Sequence, residues 1–173
     1  MSEIESISTQ YVTFSLAGEL FGVEVNRTRE ILSLIPVTSV PQTPDYMLGV
    51  INLRGQVVPV VNMRVKLGMP KTEETQDTCI IVIEVQVNEE TLIVGAKADA
   101  VREVLEVNHD QIEPPPRLGT KLKTEYIHGM GKVNDQFMIL LNIDRVFSSD
   151  ELALVQDVGE VNLSEKQDIE ELT

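Results

Sequence analysis

At 173 residues, of which 42% are apolar, the chain suits one domain or two small halves sharing a core, and it is too apolar to be a disordered protein. Its net charge of −14, from 28 acidic and 14 basic residues, repels phosphate backbones and anionic lipid, which argues against nucleic-acid binding and a charge-driven membrane contact. The single cysteine, Cys79, excludes an internal disulfide and a cysteine metal cluster.

Residues 1–9 are polar and acidic and are expected to form a flexible lead-in. Val12, Phe14 and Leu16 then alternate with Thr13 and Ser15, the period of a half-buried strand. A turn at Ala17 to Leu20 leads into a second alternating run, Phe21, Val23 and Val25, which completes an antiparallel hairpin. Asn26 is positioned to cap a short helical turn over Arg27 to Leu32, and Pro36, Pro41 and Pro44 predict a surface loop. Tyr46 to Ile51 leads into Asn52-Leu-Arg-Gly55, and Gln56 to Val61 reads as a strand. Pro59 within that strand predicts an edge position or a bulge. Asn62 to Leu67 reads as a helical turn closed by Gly68.

The polar stretch 69–77 is a loop between the two halves of the expected single domain, residues 10–158. Cys79 to Ile83 is apolar on both faces and predicts a central strand, with a buried Cys79 as a small apolar side chain. Thr91 to Ala98 runs back as its hairpin partner. Val101 to Val107 alternates again, with Val104 as the exception, and Glu113-Pro-Pro-Pro116 predicts an extended corner. A third hairpin is expected around Asn134-Asp135, from Glu125 to Lys132 and Gln136 to Ile143. Ser148 with Glu151 is a capping-box signal for a short C-terminal helix, and residues 159–173 form an acidic flexible tail. Nine or ten short strands at this spacing predict an all-β barrel or sandwich fold rather than βαβ alternation.

The chemistry of catalysis is missing from the pattern. Neither His109, beside Asp110, nor His128 has partners for a metal site or a nucleophilic relay. Gly129-x-Gly131 opens no helix that could hold a phosphate, so a turn is its role. No cofactor, metal or catalytic residue is expected. The N-terminus lacks a basic start and an apolar run, and no stretch reaches the ~20 apolar residues of a membrane span. A cytoplasmic protein without direct membrane insertion is expected.

Asn52-Leu-Arg-Gly55 is the odd feature. An Arg followed by Gly between two strands is ordinarily just the polar tip of a hairpin. Here Val50, Ile51, Leu53, Val57 and Val58 surround it with apolar residues, and an Arg presented on an apolar surface has the composition of an interface anchor. A binding module is the reading this favours.

Gly49-Val-Ile-Asn-Leu-Arg-Gly55, followed by Val58-Pro-Val60 and Arg64, resembles the signature of the CheW family of bacterial chemotaxis coupling proteins. Gln10 to Phe14, Phe21-Gly-Val23, Arg29-Glu-Ile31, Val94-Gly95, Asp99-x-Val101, Ile112-x-Pro-x-Pro, Glu125 to Gly129 and Ile139 to Ile143 extend the resemblance across about 145 residues. The resemblance implies two SH3-like five-stranded β-barrels sharing a core. It also implies a scaffold that joins the cytoplasmic tips of chemoreceptors to the regulatory domain of the histidine kinase CheA, in arrays at the inner membrane, as a monomer when free. That kinase domain has the same double-barrel fold in this family.

Carried over by position, the resemblance implies a receptor-facing groove with Thr28, Gly49, Arg54 and Val104, and a kinase-facing turn with Arg29, Glu30 and Ile31. Three positions depart from the family pattern: Thr28 replaces an aliphatic residue, Asn62 an Asp, and Lys97 interrupts an apolar strand. Three rival readings stand beside this one. A version fused to a receiver domain needs about a hundred more residues in βα alternation. An adaptor for another output, pilus motility or second-messenger synthesis, shares every motif. An enzyme on a barrel needs a titratable cleft that the pattern lacks.

Overall fold

A computed structural model of the chain describes residues 7–87, 89–114 and 124–147. The C-terminal helix expected from Ser148, the acidic tail and Pro115-Pro116 lie outside the described residues.

The first alternating run is β1, Ser8–Leu16, and the second is β2, Glu19–Glu24. Ala17 and Gly18, with φ of 52° and 81°, join them in the tight turn whose twist matches antiparallel strands. β1 takes in the last two residues of the expected flexible lead-in: Ser8 and Thr9 pair with Asn108 and Val107, and so belong to a sheet.

The segment after β2 corrects one expectation. A single 3-10 turn, Val25–Arg27, has Glu24 and not Asn26 at its N-cap position, with no side-chain capping bond, and Thr28–Ser33 is a strand, β3, not a helical turn. The charged residues at i, i+2 and i+3 resemble a helix start, yet burial alternates along β3 with period two. The partner decides it, because the buried apolar strand β6, Cys79–Val87, supplies a ladder from Thr28↔Ile83 to Ser33↔Cys79. Arg29, Glu30 and Ile31 therefore stand on a strand.

β4, Met47–Leu53, and β5, Gln56–Asn62, form a hairpin around Arg54 and Gly55. Pro59 is not on an edge strand, since β5 lies between β4 and β7, Glu90–Ala98. Pairing with β7 begins only at Val60, so Pro59 stands where β5 is paired on one side alone, and no ladder bond is lost there. The expected turn at Asn62 to Leu67 is helix α1, Met63–Lys66; the Asn62 side chain accepts from Arg64 N, and Gly68 follows with φ 83°. β8, Ala100–Asn108, pairs with β1. β9 is the two-residue Ile112–Glu113. β10, Ile127–Val133, and β11, Gln136–Leu141, form the third hairpin at Asn134-Asp135, followed by helix α2, Ile143–Val146.

Two sheets result. One has the order β8-β1-β2-β11-β10-β9, the other β3-β6-β7-β5-β4. The fold is the expected two-subdomain β architecture, with the short β9 as a sixth strand on the first sheet. Each sheet keeps a small apolar cluster of its own: Tyr11, Val107, Met138 and Leu140 in one, Ile51, Val58, Val60 and Ile80 in the other. The largest cluster takes Phe14, Leu16, Phe21 and Val23 from the first sheet and Met47, Val61, Ile81 and Ile83 from the second. Phe14 and Phe21 stack inside it with ring centroids 5.8 Å apart. Each such buried side chain contributes about 1.5–3 kcal/mol, so the shared cluster binds the halves into one unit.

Candidate interaction surface

The Arg54 turn is built by local rules. Arg54 has φ 51° and Gly55 φ 85°, a turn whose second residue glycine enters without strain. The Asn52 side chain accepts from Gly55 N at 2.8 Å and holds the tip closed. Turn geometry thus projects Arg54 outward, and its side chain is 71% exposed.

The guanidinium does not float free. It donates to the carboxylate of Glu30 on β3. β3 and β4 are the opposite edges of their sheet, so this ion pair spans the seam where the sheet curls back on itself. Next along β3, Ile31 is 45% exposed, an unusual state for a large aliphatic side chain. On the other side, Arg29 occupies the bulge between Thr28 and Glu30 and donates from Nε to Glu84 at 2.7 Å. Thr28 is half-buried, its hydroxyl donating to the Glu24 carbonyl at 3.2 Å.

Gly49 serves the backbone. Its φ is 144°, and a Cβ there would meet the Thr38 carbonyl oxygen at 2.0 Å. Thr38 and Val50 exchange backbone hydrogen bonds of 2.9 and 2.8 Å across this close approach, which covers the outer edge of β4. Gly49 is buried, so what it offers a partner is the shape of β4 and not a side chain.

The structure therefore gathers Thr28, Arg29, Glu30, Ile31 and Arg54 on one sheet, and joins Arg54 of the expected receptor set to Glu30 of the expected kinase set. Val104 is 55% exposed on β8, an edge of the other sheet, opposite Val12. No described hydrogen bond or ion pair ties it to those five.

Sequence reasoning overlooked two further ion pairs. Arg27 pairs with Asp144, which also accepts from Gln86 N at 2.9 Å. Arg64 Nε donates to Asp99 at 2.9 and 3.1 Å, and Asp99 accepts as well from Ala17 N at 2.9 Å. Those Arg64 bonds, with the Ala17 N–H, hold the Asp99 carboxyl below the usual carboxylate range against the opposing effect of burial, and the same bonds raise Arg64. Separations of 117 and 35 residues left no local signal for either pair.

Among the described residues no three His, Cys, Asp or Glu side chains are grouped to hold a metal ion, and no helix is long and apolar enough to cross a membrane. Burial raises the Cys79 thiol above its usual range.

Comparison with known proteins agrees with this architecture. The chain is 34% identical over 155 residues to the chemotaxis protein CheW of Klebsiella aerogenes, covering 90% of this chain and 91% of that protein. It is 34% identical over 142 residues to the chemotaxis protein CheW of Rhizobium meliloti, covering 82% and 89%. The crystal structure of the scaffolding protein TtCheW from Thermoanaerobacter tengcongensis superposes with a TM-score of 0.74 at 31% identity, over 84% of this chain and 96% of that one. The CheW-like domain family matches residues 10–151. With two sheets around a shared core, an Arg54 tip held against β3, and likeness along nearly the whole length, the chain belongs to the CheW-like domain family.

Proposed function

We propose that this chemotaxis coupling scaffold bridges the cytoplasmic tips of chemoreceptors and the regulatory domain of the histidine kinase CheA, with no chemistry of its own, at receptor arrays on the inner membrane. The observation that carries the reading is the outward-facing Arg54 guanidinium held by the half-buried Glu30, on a sheet edge whose strand also exposes Ile31. An exposed Arg fixed by an acid, on an edge that also presents a large aliphatic side chain, is the composition of an interaction surface, where burial supplies affinity and charge sets register.

Pre-pairing matters for the energetics. Arg54 held by Glu30 loses less side-chain freedom when a partner covers it than an unanchored Arg would. The scaffold transmits a signal only if its contacts differ between the receptor's two states, so the surface acts by differential binding. The Arg54–Glu30 pair links one residue carried over in the receptor set to one carried over in the kinase set. That favours a surface where receptor and kinase meet, rather than two remote sites. Val104, on the other sheet, belongs to the receptor side of the proposal.

Affinity capture with the full chain from a native extract tests this. Recovery of a histidine kinase and chemoreceptors, lost with a folded Arg54→Ala variant, is the expected result. Recovery of neither would overturn the proposal, and recovery of a different output protein would redirect it to another chemosensory pathway.

A further inference from the structure

The chain contains an internal repeat that its composition hides. Tyr46, Gly49, Gln56 and Asn62 recur as Tyr126, Gly129, Gln136 and Asn142, at one constant offset of eighty residues. The geometry recurs with them. Tyr46 O accepts from Asn62 N at 2.7 Å, and Tyr126 O accepts from Asn142 N at 2.8 Å. Both hairpins carry a bulge just before the glycine, and both have the same register, Gly49↔Val60 and Gly129↔Leu140. Both end in a four-residue helix capped by the asparagine position, α1 and α2.

The rest of the sheets follows. β5 runs parallel to β7 at Val60↔Gly95, and β11 runs parallel to β2 at Leu140↔Gly22. The orders β8-β1-β2-β11-β10 and β3-β6-β7-β5-β4 then match strand for strand. Chain order shows the exchange: each repeat gives its first hairpin to one sheet and its remaining strands to the other. The chain crosses between sheets at two places, Glu24 to Thr28 after β2 and Asp99 after β7.

Each crossing is gripped by an ion pair, and the pairs are of opposite sense. Arg64 on α1 holds Asp99 at the second crossing; Asp144 on α2 holds Arg27 at the first. Arg64 and Asp144 are equivalent positions of the repeat, eighty residues apart. Each helix therefore clasps the crossing made by the other repeat's hairpin. The reversed polarity makes this choice specific. A helix closing on its own repeat's crossing would set Arg64 against Arg27 and Asp144 against Asp99, and like charges at contact repel.

Each latch also ties in a backbone N–H beyond its own crossing, Ala17 at Asp99 and Gln86 at Asp144. Arg27 adds a bond from Nε to the Glu84 carbonyl at 3.2 Å. Only these two crossings carry the chain between the sheets among the described residues, so beside the shared core they are the covalent links on which the relative setting of the barrels depends. We infer that the Arg64–Asp99 and Arg27–Asp144 pairs are matched latches on the two crossings, which fix the orientation of one barrel relative to the other. The inference rests on none of the partner assignments.

The test is a distance measurement across the full chain. Spin labels are placed at Gln56→Cys and Gln136→Cys, equivalent exposed positions at the two hairpin tips. Cys79 is buried and takes no label in the native state. Asp99→Asn and Asp144→Asn remove charge while keeping an oxygen acceptor. The expected result is that each variant melts cooperatively with unchanged strand content, while the distance distribution broadens by about twofold or shifts by several ångström, most in the double variant. An Asp110→Asn control, the same change at an exposed carboxylate away from both crossings, leaves the distribution unchanged. A parental distribution in the double variant would overturn the inference. So would outright unfolding of either isosteric variant, since the pair would then hold the core and not an orientation.

Discussion

Arg54 and Glu30 join the two edges of one sheet: the Arg54 guanidinium at the β4–β5 tip donates to the Glu30 carboxylate on β3. Because Arg54 is largely exposed, the pair contributes little to stability, at most about 1 kcal/mol. Its worth lies in what it presents. Arg54→Ala is expected to melt within a few degrees of the parent chain, yet to weaken partner binding about tenfold or more. A double-mutant cycle with Glu30→Ala on purified partners checks this. Coupling between the two changes supports a pre-formed surface; strict additivity contradicts it.

Gly49 behaves in the opposite way. A place in the receptor-facing groove would let Gly49→Asp spare the fold and harm only assembly. The 2.0 Å approach of a Cβ to the Thr38 carbonyl rules that out. Even Gly49→Ala must push Thr38 away and break its exchange of bonds with Val50. A loss on the order of 3 kcal/mol or more is expected, read by denaturant unfolding.

Acid should weaken the Asp99 latch. The folded carboxyl titrates below its unfolded value, so its contribution is present above the unfolded pKa and is lost as pH falls through the folded one. Asp99→Asn should therefore lower the melting temperature at neutral pH, with the gap to the parent closing as pH falls below the ordinary carboxylate range. A gap that stays constant from neutral to acid pH contradicts the assignment.

Val104 and Ile31 are exposed, so changing them should cost the fold nothing. Val104→Ala and Ile31→Ser are each expected to stay within about 0.5 kcal/mol of the parent in chemical denaturation. A larger loss would mean that these side chains are packed, not presented.

Cys79, buried with its thiol held protonated, should resist alkylation in the native chain and react promptly in denaturant. Fast native labelling, followed by mass spectrometry, would contradict its burial.

Period-two alternation made the hairpins legible, because β1, β2, β6 and β7 each bury one face or both. β3 reads as a helical turn in the sequence for a physical reason. It is short and charged, and only its ladder with β6, some fifty residues away, selects strand over helix. Arg54 announced its exposure through the glycine after it, but nothing local announced Glu30, which lies across the seam. Gly49 looked like a surface position because the chain alone does not reveal Thr38. The repeat escaped notice since its equivalent core positions differ in kind, Val58 matching Met138 and Leu67 matching Phe147. Sliding the chain along itself by eighty residues would have exposed the Tyr, Gly, Gln and Asn matches.

The most direct measurement of the coupling role is reconstitution from purified components. A chemoreceptor cytoplasmic fragment, the regulatory domain of a CheA kinase and this chain are mixed, and complex formation is followed by sedimentation. The account predicts a ternary complex that requires this chain and is lost with folded Arg54→Ala. A complex that forms equally well without the chain, or undiminished with Arg54→Ala, would contradict it.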